Sequence, residues 1–199
     1  MKKIGLFGGT FDPVHIGHLL LADAVRGDAG LDQVLFVPSA VPPHKPPGGR
    51  SAPEDRLHMV RLAIEGHGGF DTTDVELRRP GASYTVDTLI ELQNSNGWAG
   101  VEWFLILGAD MWVDLPNWKN PDEIVSRAGL LIMERPGIDA RHAGGIEERF
   151  LEKAVFVKTP KIGISSTEIR DRVRMGKTIR YWVPRAVEAF ILEKGLYRQ

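Results

Sequence analysis

Short apolar runs closed by glycine or proline alternate along the chain with longer stretches whose apolar residues recur every three to four positions, a pattern that predicts strands alternating with helices. Ile4, Leu6 and Phe7 make the first strand, and Leu19, Leu20, Ala22 and Val25 stripe a helix that fades between Gly27 and Gly30. QVLFV at 33–37 reads as a second strand ended by Pro38, the segment 70–77 holds a third, and 101–107 (VEWFLIL) is the central one. Runs at 129–133 and 154–157 supply a fifth and a sixth. Between them the spacing predicts a helix over 54–65 opened by Pro53, one beginning near Tyr84 with Ser83 as its cap, one after Asn120 and Pro121 with Glu123 as a capping-box carboxylate, and a short one over 147–151. Two more follow, one entered through Ser165 or Ser166 and ended near Gly176, the other opened by Pro184. The central run is apolar on both faces towards its end, as a parallel strand covered by helices on each side requires. The expected fold is therefore an open, mostly parallel α/β sheet. No linker, repeat or low-complexity boundary interrupts it, so a single domain over 1–199 is expected, with 164–199 as its helical C-terminal portion.

The chemistry gathers where these elements meet. Gly8 and Gly9 turn the chain between a strand and a helix, a junction that aims backbone N–H groups and the positive end of a helix at an anion. His15 and His18, three residues apart at the helix start, can converge on the same anion with ring N–H donors and, when protonated, positive charge. Neither of the familiar phosphate cradles, GxGxxG or GxxxxGK[ST], occurs, and two histidines would want a third ligand to hold zinc. The Pro- and Gly-rich stretch 39–52 is a loop at the end of the second strand: either a plain surface linker or, through His44 and Lys45, a cover that closes over a phosphate. Asp110 follows the central strand, either as a ligand group or as a cap for the next turn. Trp118 is either a staple against the helix after it or one wall of a ring-binding pocket. At 164–170 (ISSTEIR), a structural cap needs one hydroxyl, which leaves the others, the free N–H groups and Arg170 for phosphate oxygens.

At 199 residues and 43% hydrophobic, the chain can bury one good core. A formal net charge of -1 argues against a general nucleic-acid binder. The absence of cysteine rules out disulfides and thiol catalysis, and no apolar run is long enough for a signal peptide or a membrane span, so a cytoplasmic location is the expectation.

Gly8 to His18 (GGTFDPVHIGH), Pro42 to Lys45 (PPHK), Ser83 to Leu89 (SYTVDTL), Leu107 to Asp110 (LGAD), Leu115 to Trp118 (LPNW) and Ile164 to Arg170 together resemble the bacterial nicotinate-nucleotide adenylyltransferases, members of the nucleotidyltransferase superfamily with the T/HxGH motif. The likeness runs from Ile4 to Leu196. The first and last motifs specify only the superfamily; SYTVDTL with LPNW narrows it to enzymes acting on pyridine mononucleotides. The resemblance implies a Rossmann-like fold and adenylyl transfer from ATP to nicotinic acid mononucleotide, with Mg²⁺ escorting ATP. It implies that Gly8, Gly9, Thr10 and Phe11 lie against the nucleotide, that His15 and His18 meet the phosphates, and that Gly108 and Asp110 border the adenosine. Ile164, Ser165, Ser166, Thr167 and Arg170 would hold the triphosphate tail. His15, His18 and Arg170 are the expected catalytic groups. Ser83, Tyr84, Thr85, Trp118 and Lys119, with His44 and Lys45, would receive the second substrate. Small molecules are the expected partners, with no nucleic acid and no membrane, and a homo-oligomer is left open. Two rivals stand beside this reading: a superfamily transferase with another phosphate acceptor, and a non-catalytic nucleotide-binding module.

Overall fold

Alternation along the strands sorts the core into two layers. In chain order the elements are β1 (Lys2–Gly9), α1 (Ile16–Asp28), β2 (Gln33–Pro38), α2 (Pro53–Ile64), β3 (Phe70–Thr72), α3 (Val75–Arg78), α4 (Thr85–Asn94), β4 (Val101–Gly108), α5 (Ala109–Asp114), a 3₁₀ turn (Leu115–Asn117), α6 (Pro121–Arg127), β5 (Gly129–Glu134), α7 (Glu148–Leu151), β6 (Ala154–Lys158), α8 (Ser166–Arg174) and α9 (Arg185–Lys194). The computed structural model describes residues 1–41, 50–134 and 146–198. Phe7, Val34, Phe36, Ile106 and Leu131 point to one face of the sheet, where they pack with Ala22 and Val25 of α1, Met59 and Val60 of α2, Ile169 of α8, and Val187 and Ile191 of α9. Their strand neighbours Ile4, Leu6, Leu35, Leu105, Leu107 and Leu130 point to the other, against Val75, Val86, Leu89, Trp112, Ile124 and Phe150 of α3 to α7. Both faces are covered, which is why these strands read as near-continuous apolar runs.

The sheet order is β3-β2-β1-β4-β5-β6. Every neighbouring pair is parallel, so within the described residues the expected mostly parallel sheet is wholly so. The chain winds outward from β1 to one side and then from β4 to the other. The strand order therefore reverses between β1 and β4, and a crevice opens beyond their carboxyl ends, where Gly8, Gly9 and Gly108 lie.

The third strand takes its exact limit from the structure, and two local expectations change. The third strand stops at Thr72, because the Thr72 hydroxyl takes the Phe36 carbonyl at 3.0 Å and Thr73 Oγ1 then receives the Val75 N–H at 3.2 Å, turning 75–78 into a short helix. Ser83 is not a helix cap: Tyr84 is the N-cap residue of α4, and Ser83 Oγ instead receives the Ala40 N–H at 3.0 Å, tying this segment to the end of β2. The capping box at α6 does not form either. Asn120 has φ 50° and makes no side-chain cap, while Glu123 pairs with Arg127 at 2.8 Å.

Candidate active site

His15 and His18 cap α1 with each other. His15 Nδ1 accepts the His18 backbone N–H at 3.3 Å, and His18 Nδ1 accepts the His15 N–H at 3.2 Å, so the two rings replace the usual Ser and Glu of a capping box. They stack with centroids 3.6 Å apart and planes 21° apart. A neutral ring that accepts at Nδ1 carries its proton at Nε2. Burial of His15, 5% exposed, drives its pKa down to about 4. Desolvation therefore keeps His15 neutral, without the positive charge a protonated ring would carry, and its protonation at Nδ1 would break the cap.

Gly17 makes this stacking feasible. A Cβ there would stand 3.0 Å from both His15 Nδ1 and Ile162 Cγ2. Phe11 supports the pair from below. With φ 51°, it folds its ring back over Gly9, where it is 2% exposed and packs edge-on to Phe7 at 5.8 Å and to His18 at 5.1 Å. Its ring is thus a buried brace under His18.

The switch-point crevice holds two cavities. The larger, about 1070 Å³, is lined by the glycine turn, His15, His18, Asp110, Lys161, residues 162–167 and Arg170. Ser165 caps α8 by accepting the Glu168 N–H at 3.2 Å. The Ser166 hydroxyl donates to the Pro13 carbonyl at 2.9 Å, tethering the start of α8 to the loop before His15, and Ser166 lines the cavity. Arg170 gives Nη1 to the Asp12 carbonyl at 2.7 Å and Nη2 to Thr167 Oγ1 at 3.2 Å, which fixes the guanidinium on the cavity wall and leaves its other donors for a ligand.

The smaller cavity, about 440 Å³, lies among Tyr84, Thr85, Asp114, Trp118 and Lys119. Thr85 is the first residue of α4, whose N-terminal N–H groups receive no side-chain cap. Trp118 is a wall of this cavity, its indole N–H held by Asp114 Oδ2 at 3.1 Å. The Lys119 ammonium is occupied, paired with Asp87 at 2.9 Å and 4.8 Å above the Tyr84 ring. Gly8, Gly9, Thr10, Asp110 and Met111 line both cavities. Asp110 is not a cap: Gly108 is the N-cap residue of α5, and Asp110 Oδ1 lies 2.8 Å from where a Gly108 Cβ would sit, so the glycine is needed for that carboxylate to fold back.

The structure thus brings together every expected site residue it describes; His44 and Lys45 lie outside the described residues. It also adds several that the sequence reading missed. Glu76, 8% exposed, lines the smaller cavity and accepts the Thr88 hydroxyl at 2.7 Å; burial pushes its pKa up. Arg56, 1% exposed, donates to the carbonyls of Thr10 (2.7 Å), Ala40 (3.2 Å) and Ser51 (3.3 Å), pinning the site loop to both stems of the segment around 42–49. Asp12 and Tyr197 meet beside it at 2.7 Å. Only Asp12 carried a signal in the sequence, its place inside the glycine-histidine motif.

Comparison with known proteins finds relatives over nearly the whole chain. A family described as cytidylyltransferase-like matches residues 6–172. A probable nicotinate-nucleotide adenylyltransferase of Thermus thermophilus is 45% identical over 196 residues, covering 98% of this chain and all of the relative. One from Geobacillus thermodenitrificans is 43% identical over 197 residues, covering 99% of this chain and 87% of the relative. Among solved structures, Plasmodium falciparum nicotinic acid mononucleotide adenylyltransferase complexed with NaAD superposes with a TM-score of 0.78 at 20% identity, covering 100% of this chain and 98% of the other, a likeness of fold.

Proposed function

The chain belongs to the nicotinate-nucleotide adenylyltransferase family, and we propose that it transfers the adenylyl group of ATP to nicotinic acid mononucleotide, giving nicotinic acid adenine dinucleotide and pyrophosphate. The observation that carries this reading is the pair of cavities sharing one seam. A donor-rich cavity suited to a polyphosphate and a smaller one walled by an indole meet at Gly8, Gly9, Thr10 and Asp110. A reacting phosphorus at that seam lies within reach of an acceptor from one side and of a leaving group on the other.

The reaction asks little covalent chemistry of the protein. The 5′-phosphate oxygen of the mononucleotide is already ionised; it forms a bond to the α-phosphorus as the bond to the bridging oxygen breaks, and the electron pair leaves with pyrophosphate. Catalysis is then positioning and stabilisation of charge. His15 and His18 offer their Nε2–H donors to the transferring group, and His15 does so as a neutral ring. Arg170 and the N-terminus of α8 face the tail phosphates.

The donors gathered at the larger cavity are N–H groups and cations, a set suited to phosphate oxygens. Among the described residues no group of three or more His, Asp or Glu side chains is arranged for a metal ion. A Mg²⁺ ion would enter here with ATP and would supply further neutralisation of charge.

Preference for the acid over the amide follows from the smaller cavity. The Thr85 hydroxyl and the uncapped start of α4 present donors to a ring carboxylate, while Trp118 offers an apolar face to the ring. An amide would turn its NH₂ towards one of those donors and leave it unpaired, a penalty of about 1 to 3 kcal/mol. The specificity constant for the nicotinate mononucleotide is expected to exceed that for the nicotinamide one by at least about 10-fold. Thr85→Val should narrow the gap by lowering use of the acid. Pyrophosphate release measured on both mononucleotides tests this. Equal wild-type constants would replace it with a dual-substrate enzyme, and no release with either would end the proposal.

A further inference from the structure

The peptide at Asp12 and Pro13 is the joint between the two halves of the larger cavity. The Asp12 carbonyl receives Arg170 at 2.7 Å, the Pro13 carbonyl receives the Ser166 hydroxyl at 2.9 Å, and two residues later His15 begins the imidazole pair. Wherever this peptide sits, it sets the start of α8 relative to the two histidines.

What holds the joint is a buried polar cluster drawn from the far ends of the chain. The Asp12 side chain is 2% exposed, and its Oδ1 accepts the Tyr197 hydroxyl at 2.7 Å. Both carboxylate oxygens also lie 3.4 Å from the Ser51 N–H, and the buried Arg56 cation attracts the carboxylate while binding the neighbouring carbonyls of Thr10 and Ser51. Tyr197 belongs to the turn after α9. The Gly195 C-cap at φ 66°, the Leu196 N–H on the Ile191 carbonyl at 3.0 Å, and φ 63° at Tyr197 itself bring the chain end back across the sheet. The tyrosine ring packs with the apolar layer of α1, α2 and α9, a task that phenylalanine would do equally well. Only the hydroxyl is committed to Asp12. Burial and the adjacent carboxylate push the Tyr197 pKa up, so the phenol remains the donor.

We propose that Tyr197 is a positioning residue for the polyphosphate site: its hydroxyl holds Asp12 so that the Asp12–Pro13 peptide presents Arg170, Ser166 and the histidine pair in one fixed arrangement. A buried carboxylate deprived of a short hydrogen bond turns to regain it, and the peptide that carries the phosphate contacts turns with it. The smaller cavity shares Gly8, Gly9 and Thr10 with this site, and Arg56 holds the Thr10 carbonyl, but among the described residues its ring walls, Tyr84, Thr85 and Trp118, make no hydrogen bond to Asp12 or Tyr197, so its ligand is affected less.

This inference rests on the adenylyl-transfer reading for its kinetics but not for its binding arm. Tyr197→Phe in the full chain is expected to weaken ATP, by calorimetry without any acceptor, about 5-fold or more, and to lower kcat about 10-fold, while KM for the mononucleotide stays within about 2-fold. A lowered melting temperature with unchanged ATP affinity and kcat would make Tyr197 merely structural and overturn the proposal. So would equal weakening of both substrates. In a cycle with Asp12→Asn, the tyrosine change should add less than about 2-fold to the loss already made by Asp12→Asn, since both act through one carboxylate; multiplicative losses would refute the route. Should Tyr197→Phe fail to fold, Asp12→Asn alone must show the same split between ATP and mononucleotide. Wild-type ATP binding without transfer would fail the functional reading while leaving the calorimetric comparison intact.

Discussion

His15 does two separable things: it caps α1 through Nδ1, and it offers a donor from a neutral, buried ring. His15→Asn separates them, because asparagine is a favoured N-cap and can accept the His18 N–H but has no imidazole to titrate or to reach the cavity. The drop in the His15 pKa from 6.5 to about 4, at about 1.36 kcal/mol per tenfold change in proton affinity, corresponds to about 3 kcal/mol of pH-dependent stability. The sign follows from which state takes the proton. Above pH 6.5 the ring is neutral in both states and contributes no pH dependence. Between 6.5 and about 4 the unfolded chain protonates while the folded one does not, so stability is lost as the pH falls, and below about 4 the loss levels off. Urea unfolding at pH 7 and pH 4.5 should show wild type losing about 2 kcal/mol more than His15→Asn over that interval. Any packing defect in the variant is independent of pH and drops out of the comparison. Parallel pH dependence in the two proteins would mean that His15 is not held neutral by burial, and the donor-only role assigned to it would fall with that.

Two further substitutions probe the same architecture. Gly17→Ala gains helix propensity of about 1 kcal/mol, yet its Cβ must push on His15 Nδ1 and Ile162, each 3.0 Å away; turnover is expected to fall about 10-fold or more, and wild-type turnover in steady-state assays would show that the stacked pair is not positionally sensitive. Arg170→Ala should weaken ATP more than AMP in calorimetric titrations, because the guanidinium sits with Thr167 at the entrance to α8, where the tail phosphates are proposed to lie; equal losses would confine Arg170 to its structural bond with Asp12.

Placing the proposed catalytic donors on a mutual histidine cap has a cost in adaptability. The same two nitrogens that start α1 determine which ring atoms remain for a ligand, so neither side chain can change rotamer without uncapping the helix. Preorganisation of this kind suits a reaction in which the attacking group arrives already ionised and the protein needs only to hold it in line.

Local pattern by itself determined the alternation of strand and helix, because apolar period is imposed by which face each element buries. It also determined the place of the glycine turn, the histidine pair and the hydroxyl-rich helix start, because such features depend on residues within one turn of each other. It left the limit of the third strand open and misjudged Ser83 for a related reason. Those residues answer to partners distant in sequence: Phe36 for the end of β3 and Ala40 for the Ser83 hydroxyl. The ionisation of His15 was out of reach too, since desolvation is set by what packs around a ring. Tertiary structure alone decided that Arg56 would clamp three carbonyls and that Tyr197 would bond Asp12 across 185 positions. A buried arginine inside a helix and a tyrosine after α9 look like any solvated pair until α2 and α9 pack on one face of the sheet and bring their segments together. Burial there favours a protein partner for each polar group.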